Sequence, residues 1–130
     1  MFERDYIKRI IQNFFKDLNE LINGRHEPDS DRLMAGIGDL YKEYLKKDRT
    51  YYYSLPEESI TRIFEKDGDI YKTEMLAALL RQDGLLQNRK DLLEKSLTLY
   101  QHINEVSKDF SMDRLEAIRE IKTEIGTDDD

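Results

Sequence analysis

The chain has 130 residues, of which 38% are hydrophobic and 38% charged, and its net charge is −7. That length fits one domain able to bury a real core, while the absence of cysteine excludes disulfides, thiolate metal sites and a cysteine nucleophile. The acidic balance argues against a duplex nucleic-acid partner, which calls for a basic surplus to replace phosphate counterions.

Six glycines and two prolines leave little turn chemistry for a many-stranded sheet. The start Met1-Phe2-Glu3-Arg4-Asp5 lacks the basic end and apolar run of a secretion signal. No stretch approaches the roughly 18 uncharged apolar residues of a membrane span. The expectation is a cytoplasmic, all-α protein with five to six amphipathic helices. Residues 1–125 form its single domain, and 126–130 a frayed acidic tail.

Between Glu3 and Asn23, apolar residues at Tyr6, Ile7, Ile10, Ile11, Phe14, Leu18, Leu21 and Ile22 cover about half of a helix circumference. Gly24 fits the cap that ends this helix. Two apolar edges, Ile7/Ile11/Ile22 and Tyr6/Ile10/Leu21, flank Phe14 and Leu18. Such a wide stripe predicts that helix one either joins a homodimer or lies centrally between other helices of the same chain.

A second helix is expected from Ser30 to Lys47, with Leu33, Met34, Ile37, Leu40, Tyr41, Tyr44 and Leu45 on one side. Gly36 and Gly38 inside it cost about 1 kcal/mol each relative to Ala, and close approach by another helix would compensate. The segment from Asp48 to Tyr53 breaks the periodicity. Ser54-Leu55-Pro56-Glu57 then reads as a capping box opening a short helix with Ile60, Ile63 and Phe64. A helix from about Asp69 carries Tyr71, Met75, Leu76, Leu79 and Leu80. Another, from about Asp91 to Ser107, carries Leu92, Leu93, Leu97, Tyr100 and Ile103, with Ser96 mid-face. The last opens at Ser111, a good N-cap, and carries Leu115, Ile118, Ile121 and Ile125.

Gly84, Ser96 and Tyr100 have the spacing of the small-residue and aromatic positions of a tetratricopeptide repeat. Roughly residues 77 to 108 therefore resemble a degenerate, repeat-like helix-turn-helix. Three features depart from the repeat pattern: no Trp or Tyr opens the first helix, Lys108 stands where the terminal Pro belongs, and one unit alone is detectable. The whole chain also resembles an uncharacterised family of small, helical, Firmicutes-type bacterial proteins with tetratricopeptide-like folds. The resemblance implies a fold and no particular activity.

Candidate chemistry is sparse. His26 stands beside Glu27, Asp29 and Asp31, but Gly24, Pro28 and Ser30 mark an exposed loop with nothing to orient ligands. His102 falls on the polar side of its helix. The acids from Glu65 to Asp69, followed by Glu74, mimic a calcium loop, yet the first ligand position would be Ile63. Ser54 and Ser111 read as caps, and Gly36-Ile37-Gly38 lacks the third glycine of a dinucleotide loop. No catalytic residue, metal ligand or cofactor site is assigned.

Lys46, Lys47, Arg49, Tyr51, Tyr52 and Tyr53 are the candidate partner-binding residues, because basic groups beside aromatics suit a protein or peptide contact and also single-stranded nucleic acid. Packing of alternate tyrosines onto the core would explain the same run. The leading functional expectation is a non-enzymatic, self-associating helical interaction module. A small-molecule or metal-dependent enzyme with a dispersed polar site is one alternative, and a nucleic-acid-associated regulator another.

Overall fold

The computed structural model describes residues 2–24, 29–65 and 70–126, with backbone alone for 2–4. Among them the chain is all-helical, without a strand. Its α-helices are α1 (Phe2–Ile22), α2 (Ser30–Leu45), α3 (Arg49–Tyr53), α4 (Tyr71–Gln87), α5 (Lys90–Val106) and α6 (Met112–Ile125), and a 3-10 turn spans Ile60–Arg62.

The central element is α4. Six consecutive residues, Met75, Leu76, Ala77, Ala78, Leu79 and Leu80, are buried. That buried run needs cover on several sides, supplied chiefly by α5 and α2 and more lightly by α1. Each large aliphatic side chain buried there contributes roughly 1.5–3 kcal/mol relative to exposure. Helix one is consequently a peripheral element, packed on α2 and more lightly on α4.

Small residues set the closest approaches. A methyl group on Gly84 would lie 2.7 Å from the Leu93 side chain, and Ser96, fully buried, donates its hydroxyl to the Ala77 carbonyl at 2.7 Å. These contacts fix α4 and α5 as an antiparallel hairpin, turned at Asn88 in the left-handed conformation (φ 56°). A methyl on Gly36 would meet Leu21, so this glycine brings α2 against α1. Gly38 instead faces the guanidinium of Arg49.

Tyr44 donates to the Asp17 carboxylate at 2.6 Å, and Gly36 touches Leu21, so α1 and α2 run antiparallel. Since α2 ends one residue after Tyr44, the turns of α1 before Phe14 extend beyond it. The edge Tyr6/Ile10/Leu21 turns toward α2, and where α2 has ended Tyr6 is left 62% exposed.

Several boundaries differ from expectation. The break at Asp48 is a new helix, because its side chain accepts the Tyr51 N–H and caps α3. Ser54 therefore closes a helix instead of opening one: its N–H reaches the Thr50 carbonyl, and its Oγ donates to Tyr51 O. The following segment makes a turn and the 3-10 stretch rather than an α-helix, with Ile60 fully buried. α2 stops at Leu45 because Lys46 takes a left-handed conformation, φ 71°. Gly126, expected to fray, caps α6 at φ 81° with its N–H on Lys122 O. Residues 127–130 of the acidic tail lie outside the described residues.

Candidate functional site

The tyrosine-rich joint folds inward around one carboxylate. Asp83 on α4 is completely buried. It accepts from Tyr41 at 2.9 Å, from Tyr53 at 2.5 Å, and from Arg49 at 3.1 and 3.2 Å. Arg49 also donates to the Met34 carbonyl at 2.8 Å, and Gln87 donates to the Tyr53 hydroxyl. Tyr52 is 1% exposed, stacked on Tyr41, and its hydroxyl donates to the Leu45 carbonyl. The network ties α2, α3 and α4 together, and each oxygen of Asp83 has donors facing it, as a buried carboxylate requires.

Of the six candidate partner-binding residues, the fold leaves three at the surface. Lys46 and Lys47 are exposed, and Tyr51 is 43% exposed beneath the Lys47 ammonium at 5.2 Å. Tyr52 is buried, and Arg49 and Tyr53, half-buried, are bonded to Asp83 and so hold the five-residue helix to α4. A basic face through Lys46, Lys47 and Arg49 is not formed.

A second concave region lies where sequence reasoning placed nothing. An open groove of about 470 Å³ runs along α4, with Glu74, Ala78, Arg81 and Gln82 on its floor. One wall is α1, through Phe15, Leu18, Asn19 and Ile22; the other is α6, through Asp113, Arg114, Glu116, Ala117 and Glu120. Each wall presents one helical stripe, at intervals of three and four residues. The α6 wall is held by ion pairs: Arg81 bonds Glu120, and Arg114 lies 4.0 Å from Glu74. Arg114 is buried to 7% exposure and also donates to Asn104 and to the Asp109 carbonyl. Both arginines thus have carboxylate partners, although the buried Nε of Arg81 has no hydrogen-bond partner, while Asp113 and Glu116 form no ion pair among the described residues.

Charge and burial oppose each other here. Burial raises the Glu74 carboxyl above its ordinary value, Arg114 pulls it back, and Asp113 pushes it up again. Beneath, burial pushes the Tyr100 phenol up to about 12, so it stays protonated near neutrality. Ser111 contributes a hydroxyl that accepts the Arg114 N–H as the α6 cap.

His102 is half-buried on α5. His26, and the acidic segment at 66–69, lie outside the described residues. Among the described residues no group of three or more His, Asp and Glu side chains is placed to hold a metal, and no helix is long and apolar enough to cross a membrane. One signal for the groove was present in the sequence: Glu74 and Arg81 flank the apolar run Met75–Leu80, where polar groups need partners. The signal for Asp83 was the same. The chain matches no family model, no curated protein and no solved structure, so its function rests on its own geometry.

Proposed function

We propose that this chain is a non-enzymatic helical interaction module whose binding face is the groove between α1 and α6. The observation that carries the reading is the composition of that groove: apolar side chains from α1 on one wall, unengaged carboxylates from α6 on the other, over a helical floor. Peptide and helix ligands are held by this combination of apolar anchors and flanking charge. The repeat-like hairpin proposed from Gly84, Ser96 and Tyr100 supplies the floor, and such hairpins are suited to presenting a groove.

A photo-crosslinking residue at Gln82, on the groove floor, tests this in the cell of origin. A discrete protein adduct is expected from Gln82 and not from the exposed Glu58, which lies outside the groove. Adducts from neither position, or equally from both, would refute the reading.

One observation favours a second reading, an enzyme with a dispersed polar site. Glu74 has a raised pKa beside Arg114 in a cleft, a pattern that clusters at catalytic centres. Its direct test is whether Glu74→Gln abolishes turnover once a substrate is found by metabolite screening.

A further inference from the structure

We infer that the occupant of the groove is a second copy of this chain, each copy inserting the amino-terminal end of its α1 alongside the carboxy-terminal half of its partner's α1. The inference rests on the groove being the binding face. It begins with the two apolar edges of α1. The Tyr6/Ile10/Leu21 edge is turned to α2, as the contacts Leu21–Gly36 and Asp17–Tyr44 show. The other edge carries Phe15, Leu18 and Ile22 along the groove wall. At 100° per residue the same face continues toward the amino terminus through Ile11, Lys8 and Ile7. There it runs past the end of α2.

One helix therefore bears both halves of a contact. Its carboxy-terminal half lines an acidic groove, and its amino-terminal half is an apolar ridge bordered by the exposed cation Lys8. A twofold axis at the level of Asn13 would lay two α1 helices antiparallel, with Lys8 level with the partner's Leu18 and Ile7 level with the partner's Asn19. Lys8, at the border of this face, then lies toward Asp113 and Glu116 of α6, which form no ion pair among the described residues. The interface is isologous: one symmetry operation fills both grooves, the arrangement of most soluble oligomers. Charge complementarity favours this occupant over an acidic or purely apolar one, which would leave the groove carboxylates desolvated and unpaired.

The chain contains no cysteine, so the geometry can be tested by directed disulfides in the purified full-length protein. Lys8→Cys chains are mixed with size-tagged Glu116→Cys chains and oxidised. The mixed disulfide should exceed both symmetric ones, and Lys8→Cys with Glu58→Cys should give little. Light scattering should show a mass rising from 15.5 kDa toward twice that value with concentration. Lys8→Glu and Glu116→Lys, both at exposed positions, should each weaken association several-fold, and their combination should restore it. Ile7→Glu should give a helical monomer.

A monomer at every concentration, or charge reversals that fail to rescue each other, overturns the inference. The Gln82 crosslink separates the two failures. With a monomeric chain, a foreign adduct there leaves the groove reading standing, and no adduct removes both.

Discussion

Replacing Asp83 by Asn keeps the side-chain shape while removing its charge and turning one acceptor oxygen into a donor, so it breaks the buried ion pair from one side. Three donor side chains converge on this carboxylate: Tyr41, Tyr53 and Arg49. Asn can accept at one atom, but its amide protons then face groups that also donate. Arg49 is left as an uncompensated charge with its side chain 18% exposed. Breaking a buried pair from one side costs about 3–5 kcal/mol, and the partial exposure of Arg49 places this case near the lower end. With an unfolding entropy of about 2.1 cal/mol/K per residue over 130 residues, a loss of about 3 kcal/mol lowers Tm by about 11 °C. Thermal and urea denaturation followed by circular dichroism measure it. The cycle with Arg49→Met decides its origin: the double variant, having no orphaned charge, should lose less than the two single losses combined. Strict additivity, or a Tm unchanged by Asp83→Asn, would refute the claim that this pair fastens α3 to α4.

Gly84→Ala should destabilise the fold by about 1–3 kcal/mol, because its methyl would meet the buried Leu93 side chain at 2.7 Å and the Leu93 backbone N at 3.2 Å. Gly36→Ala should be neutral or stabilising by up to about 1 kcal/mol, since it meets only the movable side-chain end of half-exposed Leu21; parallel urea titrations compare the two. Ser96→Leu should cost about 1–3 kcal/mol through overpacking, and an unmoved denaturation midpoint would contradict the burial of Ser96 against Ala77. Glu74→Gln should raise Tm at neutral pH. The folded state raises this carboxyl's pKa, so its stabilising contribution is full below the unfolded carboxyl value and is lost as pH rises through the folded one. The gain from Glu74→Gln should accordingly shrink in acid, and a pH-independent difference would contradict the burial of Glu74.

Much of the architecture was legible residue by residue. Local periodicity gave α1, α2, α4, α5 and α6, since a 3.6-residue apolar repeat needs only neighbours in sequence to be seen. Small residues at Gly36, Gly84 and Ser96 announced close packing, and Ser111 announced a helix start, for the same local reason. The joint from Asp48 to Ser54 was misread because two short-range signals compete there: Asp48 and Ser54 are both good caps, and packing of Tyr52 and Arg49 against α2 and α4 decides which end of a helix each one marks.

The sequence by itself determined that this chain folds as helices and which residues must leave water. Only the tertiary structure decided which helix is central, that Asp83 is the point on which the tyrosines and Arg49 converge, and that α1, α4 and α6 enclose a groove. Those outcomes depend on residues some forty positions apart, such as Arg81 with Glu120 and Tyr41 with Asp83. A helical pattern states that a face is apolar or charged; which other face it meets depends on how the whole chain fills space around α4.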